Sequence, residues 1–360
     1  MKYDHKLIEL YTCQILEKYN IPSNKAKISA KILVEADLRG IFSHGINNIE
    51  TYVIKAIENG GLILNAESED INPDNKFSIR HIDANGELGH CSAMFAVNYV
   101  KKLARKYGYG KVYVSNANHF GAAGIYSEEI CKEKDLSGRV CCTTLSCTVP
   151  YGGNKKRLGT NPLAWSIPYN DGIITIDMAT TTHAISGLAK AVIERFQLPF
   201  PAYDNEGNEI LDSSIFSSVE DFYNNSSMVP LGALGREKSK KADAGYKGTG
   251  LATLIELDSV IGSGPSTFIN PTNMNVNRRI HQTFEAWRVD TCFSKKTALN
   301  NISKTIKDIR QYGGDSMLMP GEKEHITRRI SIENGIPYTN EQINRFNNIR
   351  KNLGLSTIDS

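Results

Sequence analysis

Residues 1–60 repeat apolar positions at three- and four-residue spacing, which predicts helices. Leu7, Leu10, Tyr11 and Ile15 form one stripe between about Asp4 and Lys18, and Pro22 interrupts it. Ala30, Leu33, Val34 and Leu38 form the next stripe, with Ser23 as the expected N-cap and Gly40 as the stop. Ser43 is then expected to cap a third helix, with Ile46, Ile49, Val53 and Ile57 inward and Gly60-Gly61 closing it.

Beyond residue 62 the period changes. "FSIRHIDA" alternates like a half-buried strand. "HCSAMFAVNYVKKLARKYG" is an amphipathic helix that ends at Gly108, followed by the strand "KVYVSN", the helix "GIYSEEICKEKD" and the strand "GRVCCTTL". "PLAWSIP" and "GIITIDMA" read as two strands joined by a Tyr-Asn-Asp-Gly turn. Residues 200–245 are loop-rich. "YKGTGLATLIELDSVIGSG" is an apolar helix stopped at Gly262, "FEAWRVDTCF" a strand and "KKTALNNISKTIKDIRQYG" an amphipathic helix. A last helix is expected from about Thr339 to Lys351. The pattern predicts an α/β (α+β) chain with a helical N-terminal unit, a β-rich middle and no internal repeat.

At 360 residues the chain is too long for one ordinary core, so two or three structural units are expected. With 40% apolar and 22% charged residues it has the mix of a soluble globular protein. A net charge of +3 with no long basic run argues against a nucleic-acid partner. The N-terminus has charges throughout and lacks the apolar run of a signal peptide, and no window is apolar enough for a membrane span. Seven cysteines at irregular spacing are expected as free thiols in a reducing cytoplasm. In "CCTTLSC" no paired CxxC occurs, and Cys141 and Cys142 would point to opposite faces of a strand, so these read as small buried residues rather than a metal site.

The richest stretch for chemistry is "SNANHFGAAG". A strand runs into His119, and Gly121, Ala122, Ala123 and Gly124 lead into a helix. Small residues permit close backbone approach, a helix start favours an anion or oxyanion, and a histidine there either exchanges a proton or simply caps the helix. "LGTNPLAWSIP" has Asn161 in a tight turn, where it holds the turn or faces a ligand. "IDMATTTHA" puts Asp177 at a strand exit, where a carboxylate grips ribose hydroxyls or caps. "AGYKGTGL" offers Lys247 between glycines, but neither a Walker sequence nor GxGxxG occurs. "IFSHGINNIE" carries His44 at a joint between helices that has no structural need of a histidine.

Taken in order, "ADLRGIFSHGI", "SNANHFGAAGIYSEE", "VPYGG", "LGTNPLAWSIP", "IDMAT", "YDNEGN", "YKGTGLATLIELDSVIGSG" and "PGEKE…NGIPYT" make the chain similar to the malate/L-lactate dehydrogenase family of the sulfolactate-dehydrogenase type. Ureidoglycolate dehydrogenase, 2,3-diketogulonate reductase and piperideine-carboxylate reductase belong to that family. The resemblance implies a non-Rossmann NAD(P)-binding fold, a homodimer, and hydride transfer between NAD or NADP and a small 2-oxo or 2-hydroxy acid. It implies three units: residues 1–65 packed with 296–360, residues 66–118 completed by 245–295, and a nucleotide-binding unit at 119–244. It makes His119 the proton donor/acceptor and puts Ser43 and His44 along substrate and nicotinamide. Phe120, Gly121, Ala122, Ala123, Gly124, Asp177, Met178 and Ala179 fall on the cofactor side, with Lys247 and Gly248 near the site.

The chain departs from the pattern in three places. Asn48 stands where relatives carry an arginine that pairs with the substrate carboxylate, and an amide supplies neither charge nor a bidentate fork. Thr143 stands in place of an asparagine on the cofactor side. In "ATTTHAISG", Ser186 and Gly187 stand where glycine and lysine are common. A 2-oxo acid would then need another cation, with Arg39, Lys247 and Arg288 as candidates. Two alternatives stay open at this point: a cyclic-imine reductase, and a non-catalytic nucleotide-binding paralogue.

Overall fold

The computed structural model describes residues 1–184, 192, 197–204, 206, 208–233, 244–264, 280–314 and 316–358. At the N-terminus, β1 (Lys2–Tyr3) pairs antiparallel with Ile336–Pro337. Asp4 caps α1 (His5–Lys18) by accepting the N–H groups of Lys6 and Leu7 at 2.9 and 3.0 Å. α2 (Ser23–Leu38) starts at its expected cap, one residue earlier than expected: Ser23 is its first residue, and Pro22 stands in the cap position with no side-chain hydrogen bond. Gly40, at φ +77°, ends this element in the left-handed conformation that suits glycine.

The expected third helix is not regular. Two 3-10 turns, Phe42–His44 and Ile46–Asn48, and a π turn, Glu50–Ile54, precede only one α turn, α3 (Lys55–Glu58). Ser43 lies inside the first turn and caps nothing. The apolar stripe was nonetheless real: Ile46, Ile49 and Val53 are buried against α1, α2 and the C-terminal segment.

The centre is a seven-stranded sheet with the elements that flank it. In chain order these are β2 (Glu69–Asp70), β3 (Ile79–Asp83), α4 (Gly89–Tyr107), β4 (Tyr109–Ala117), α5 (Ala123–Cys131), β5 (Leu136–Cys142), β6 (Leu163–Tyr169) and β7 (Gly172–Met178). A hairpin, β8 (Gln197–Tyr203) with β9 (Glu209–Asp212), and a short α6 (Val219–Asn225) follow within the stretch expected to be loop. The chain then continues through α7 (Gly245–Ser263), β10 (Ile280–Arg288), α8 (Lys295–Gly313), α9 (Glu322–Asn334), β11 (Ile336–Pro337) and α10 (Asn340–Asn352). Sheet order is β2-β3-β4-β10-β5-β6-β7, antiparallel apart from the β3–β4 pair. Strands from both sides of residue 118 therefore share one sheet.

Strand alternation gives the sheet two unlike faces. Val112, Val114, Phe284, Ala286, Val140 and Cys142 pack under α4 and α5 as the main apolar core. The opposite face, under α7, is polar: Lys111 pairs with Asp258 at 2.6 Å, and Glu285 takes the Tyr109 hydroxyl at 2.9 Å and the Arg139 guanidinium. Cys141 and Cys142 point to opposite faces as expected, and none of the seven cysteines is paired. The helical core of α1, α2 and α10 sits beside the sheet. The site forms where α2 and its irregular continuation meet the C-terminal end of β4 and the start of α5.

Candidate active site

His119 follows β4 at a point where the backbone is fixed from several sides. The Asn118 amide donates to the carbonyls of Gly61, Gly86 and Glu87 at 3.2, 2.9 and 2.9 Å, and Gln282 donates to the Asn118 carbonyl at 3.0 Å. Gly89, the first residue of α4, lies so close that a Cβ there would stand 2.2 Å from the His119 carbonyl oxygen. The histidine is thus set by the ends of two regular elements pressed together.

The ring is oriented as firmly as its backbone. Nδ1 accepts the Gly121 N–H at 3.2 Å, which places the neutral ring's proton on Nε2. Nε2 has no hydrogen-bond partner among the described residues, and the side chain is half-buried. The Tyr52 ring stacks on the imidazole at 3.8 Å and 2°, and the His44 ring lies nearly parallel at 5.6 Å and 17°. Tyr52, eight residues after His44, was not singled out in the sequence. It lies beside Val53 but off the expected stripe of Ile46, Ile49, Val53 and Ile57, so the apolar pattern gives no sign of it.

His44 reaches His119 on an irregular segment held from beneath. Asp37, fully buried on α2, accepts the Ile46 N–H at 2.9 Å and the Tyr338 hydroxyl at 2.7 Å. Its other oxygen, buried and unpaired, occupies the space a side chain at residue 45 would need, with a Cβ there only 1.6 Å away. This explains the glycine after His44. Burial pushes the Asp37 carboxyl up to about 7, against the Ile46 N–H and Tyr338 hydroxyl that pull it down. On the other side, the Asn48 amide donates to the carbonyls of Phe42 and Ser43 at 3.2 and 2.8 Å, and the Ser43 hydroxyl lies 2.9 Å from His44 Nδ1. Residues 44 and 48 are therefore not one α-helical turn apart. Asn48 is the tie that closes the 3-10 segment.

A third imidazole completes the group. His90, on the first turn of α4 and 1% exposed, engages the Ser29 hydroxyl through Nδ1 at 2.7 Å, and its other edge faces Gly121. Burial lowers His44 and His90 to about 4, the latter helped by His44, and holds His119 well below the ordinary histidine value with His44 and His90 adding to it. All three are neutral at physiological pH.

The other candidates are distributed as follows. Phe120, Gly121, Ala122, Ala123 and Gly124 are all buried: Phe120 stacks on Tyr126 at 5.1 Å, and the small residues let α5 close against α2, α4 and β7. The Gly124 N–H is already taken by Asp177 Oδ2 at 2.8 Å, and a Cβ on Gly124 would stand 2.7 Å from that oxygen. Asp177 is otherwise open to solvent at the end of edge strand β7, with Met178 and Ala179 half-buried beside it. Thr143 is fully buried, and its hydroxyl accepts the His281 N–H at 3.1 Å, so it presents no surface. Asn161 holds its turn: its oxygen takes the Thr144 N–H at 3.1 Å and its amide donates to Ala252 and Glu256. Gly248 packs the start of α7 on Leu231, while Lys247 is exposed beside the Tyr246 ring. Ser186 and Gly187 lie outside the described residues.

Two of the three candidate cations are committed elsewhere. Arg39 lies between Glu35 and Glu128, each at 2.8 Å, and Glu128 also takes His325 and Thr175. Arg288 is paired with Asp290 at 2.6 and 2.7 Å, at the far end of β10. Neither is available as a substrate clamp.

This arrangement has relatives. A family profile described as malate/L-lactate dehydrogenase matches residues 4–347. The chain belongs to that family. It is 28% identical to a malate dehydrogenase of Pyrococcus abyssi, over 97% of this chain and 94% of that one. It is 29% identical to an L-sulfolactate dehydrogenase of Methanocaldococcus jannaschii, over 96% and 95%. Among solved structures, the malate dehydrogenase of Entamoeba histolytica superposes with a TM-score of 0.86 at 24% identity, covering 99% of each chain. Membership makes the chain an oxidoreductase acting on CH–OH groups and implies a nicotinamide cofactor. No helix among the described residues is long and apolar enough to cross a membrane.

Proposed function

We propose that this chain interconverts a small 2-oxo acid and its 2-hydroxy acid with NAD(P)H, as a homodimer in a reducing cytoplasm, with His119 handling the proton. The observation that carries the reading is the His119 ring: Nδ1 is occupied by the Gly121 N–H, Nε2 has no partner among the described residues, and the Tyr52 ring stacks on the imidazole with His44 nearly parallel beside it.

The residues suit a nicotinamide nucleotide. A flat aromatic group that is electrically neutral accepts a planar ring beside His119, and the open carboxylate of Asp177, with Met178 and Ala179, offers a strip suited to ribose hydroxyls. When bound, the nicotinamide supplies or takes the hydride. The protein's own part is to place the His119 Nε2–H against the carbonyl oxygen, so that negative charge growing there meets a donor already in position. Nε2 passes its proton to that oxygen to complete the alcohol, and a solvent water returns a proton to the same nitrogen, since Nδ1 is held by the Gly121 N–H. Because burial lowers the ring's pKa, reduction should not follow an ordinary histidine titration near neutral pH.

The test is NADH and NADPH fluorescence titration, followed by cofactor oxidation on a panel of 2-oxo acids with the native enzyme and His119→Ala. Expected are cofactor binding by both proteins and at least a ~100-fold loss of turnover in the variant. Cofactor binding without oxidation on any panel member, or turnover that survives the substitution, sinks the reading.

A further inference from the structure

Asn48 gives its chemistry away by what it has already spent. Its two amide hydrogens go inward, to the carbonyls of Phe42 at 3.2 Å and Ser43 at 2.8 Å. The orientation is forced, because an amide oxygen turned toward two carbonyl oxygens would be repelled where the NH2 group is attracted. Its Oδ1 has no partner among the described residues and is not among the buried unpaired atoms. Residue 48 thus presents an acceptor to whatever lies outside, and no donor.

The surroundings do not change that. The Ser43 carbonyl that Asn48 holds adjoins His44, whose ring runs along His119, so Asn48 borders the group that handles the proton. His44, His90 and His119 are neutral, and among the described residues the only titratable groups acting on His119 are the other two imidazoles. Arg39 and Arg288 are tied in ion pairs of their own. A carboxylate set directly against Asn48 would meet the negative end of a carbonyl dipole after losing its water, with neither Arg39 nor Arg288 free to offset that cost.

We propose that the substrate group resting against Asn48 is a hydrogen-bond donor, a hydroxyl or N–H, so that the preferred compound is a 2-oxo or 2-hydroxy acid with one carboxylate and a hydroxyl-bearing end, not a dicarboxylate. This rests on the oxidoreductase reading above and narrows its substrate class.

A size-matched pair separates the two cases whichever end faces residue 48. Tartronate places a carboxylate at both ends; glycerate replaces one of them with a hydroxymethyl group. Both are unreactive toward NADH, so their binding to the NADH-loaded enzyme is read by calorimetry or by quenching of NADH fluorescence, without turnover. Glycerate should bind at least ~10-fold more tightly than tartronate, and Asn48→Arg should narrow or reverse that ratio by a similar factor. Tartronate binding as tightly as glycerate in the native enzyme overturns the inference, as does an unchanged ratio in a folded N48R. The native ordering stands on its own if N48R fails to fold. An enzyme that does not bind NADH or NADPH at all overturns the proposed function instead, a result distinct from a reversed ligand preference.

Discussion

Two short segments carry the two histidines that face each other, and they are built in opposite ways. His119 stands where β4 ends and α5 begins, its backbone clamped by Asn118, Gln282 and the close approach of Gly89. His44 stands on chain that is neither α-helix nor strand, shaped by one buried carboxylate, one asparagine and a tyrosine from the far end of the sequence. The first is seated where the ends of two regular elements meet, with buried side-chain bonds from Asn118 and Gln282 added to it. The second is a product of a few polar contacts, each of which is costly to lose because it is buried.

The sharpest way to break this contrast is Gly45→Ala. A methyl group there would fall 1.6 Å from Asp37 Oδ1, inside a carboxylate that is fully buried and cannot swing into solvent. The segment must move or Asp37 must give up the Ile46 N–H, at a cost of ~3 kcal/mol or more. Chemical denaturation should show that loss, and the Tyr52–His119–His44 stack should be displaced. Stability within ~0.5 kcal/mol of native would mean that Asp37 does not shape the segment.

Asp37 itself supplies the next test. Its folded-state pKa, about 7, lies above the ordinary carboxylate value, so the folded protein holds a proton that the unfolded chain releases. That contribution is full at acid pH and is lost as pH rises toward about 7. His44 and His90 act in the other sense: lowered to about 4, they favour the folded state above the ordinary histidine value and withdraw that support as pH falls through the window from there to about 4. The two slopes oppose each other in the native protein. Asp37→Asn keeps an acceptor for Ile46 and Tyr338 but removes the titration. Its stability relative to native should therefore rise by roughly 3 kcal/mol between pH 5 and pH 8, an upper bound set by the size of the shift. A constant difference across that range would remove Asp37 from the account.

The same contrast explains what could be read from the sequence. The strands, α4, α5 and α7 follow local period, and "SNANHFGAAG" declares a strand, a histidine and a helix in sequence order. The segment around His44 was misread as a third helix because its apolar stripe is genuine while its backbone is set by Asp37 and by Tyr338, about three hundred residues away. α9 escaped notice because only Ser331 along it is buried, leaving no apolar stripe to see. His90 and Tyr52 were hidden for a related reason. Each lies on an element whose pattern was already explained, and only the folded arrangement brings them to His119. The small residues of the loop after His119 also pack α5 against its neighbours, a demand that the sequence pattern alone does not separate from room for a ligand.

Gly121→Ala gives the smallest effect and the cleanest comparison with Gly45. Gly121 has φ +84°, so a side chain there is strained by its own backbone. A Cβ at this position would nonetheless come no nearer than 3.5 Å to its neighbours, the His90 ring edge first and then Ile32 at 3.7 Å, which are ordinary contacts. The N–H that orients His119 is kept in alanine. The expected cost is therefore the backbone strain alone, about 1 kcal/mol, with turnover close to native. One methyl group would then cost several times more beside His44 than beside His119, although both sites are glycines next to a histidine. If Gly121→Ala instead proves as damaging as Gly45→Ala, the strand-to-helix joint is no sturdier than the polar one, and the division between a segment set by the fold and a segment set by side chains fails.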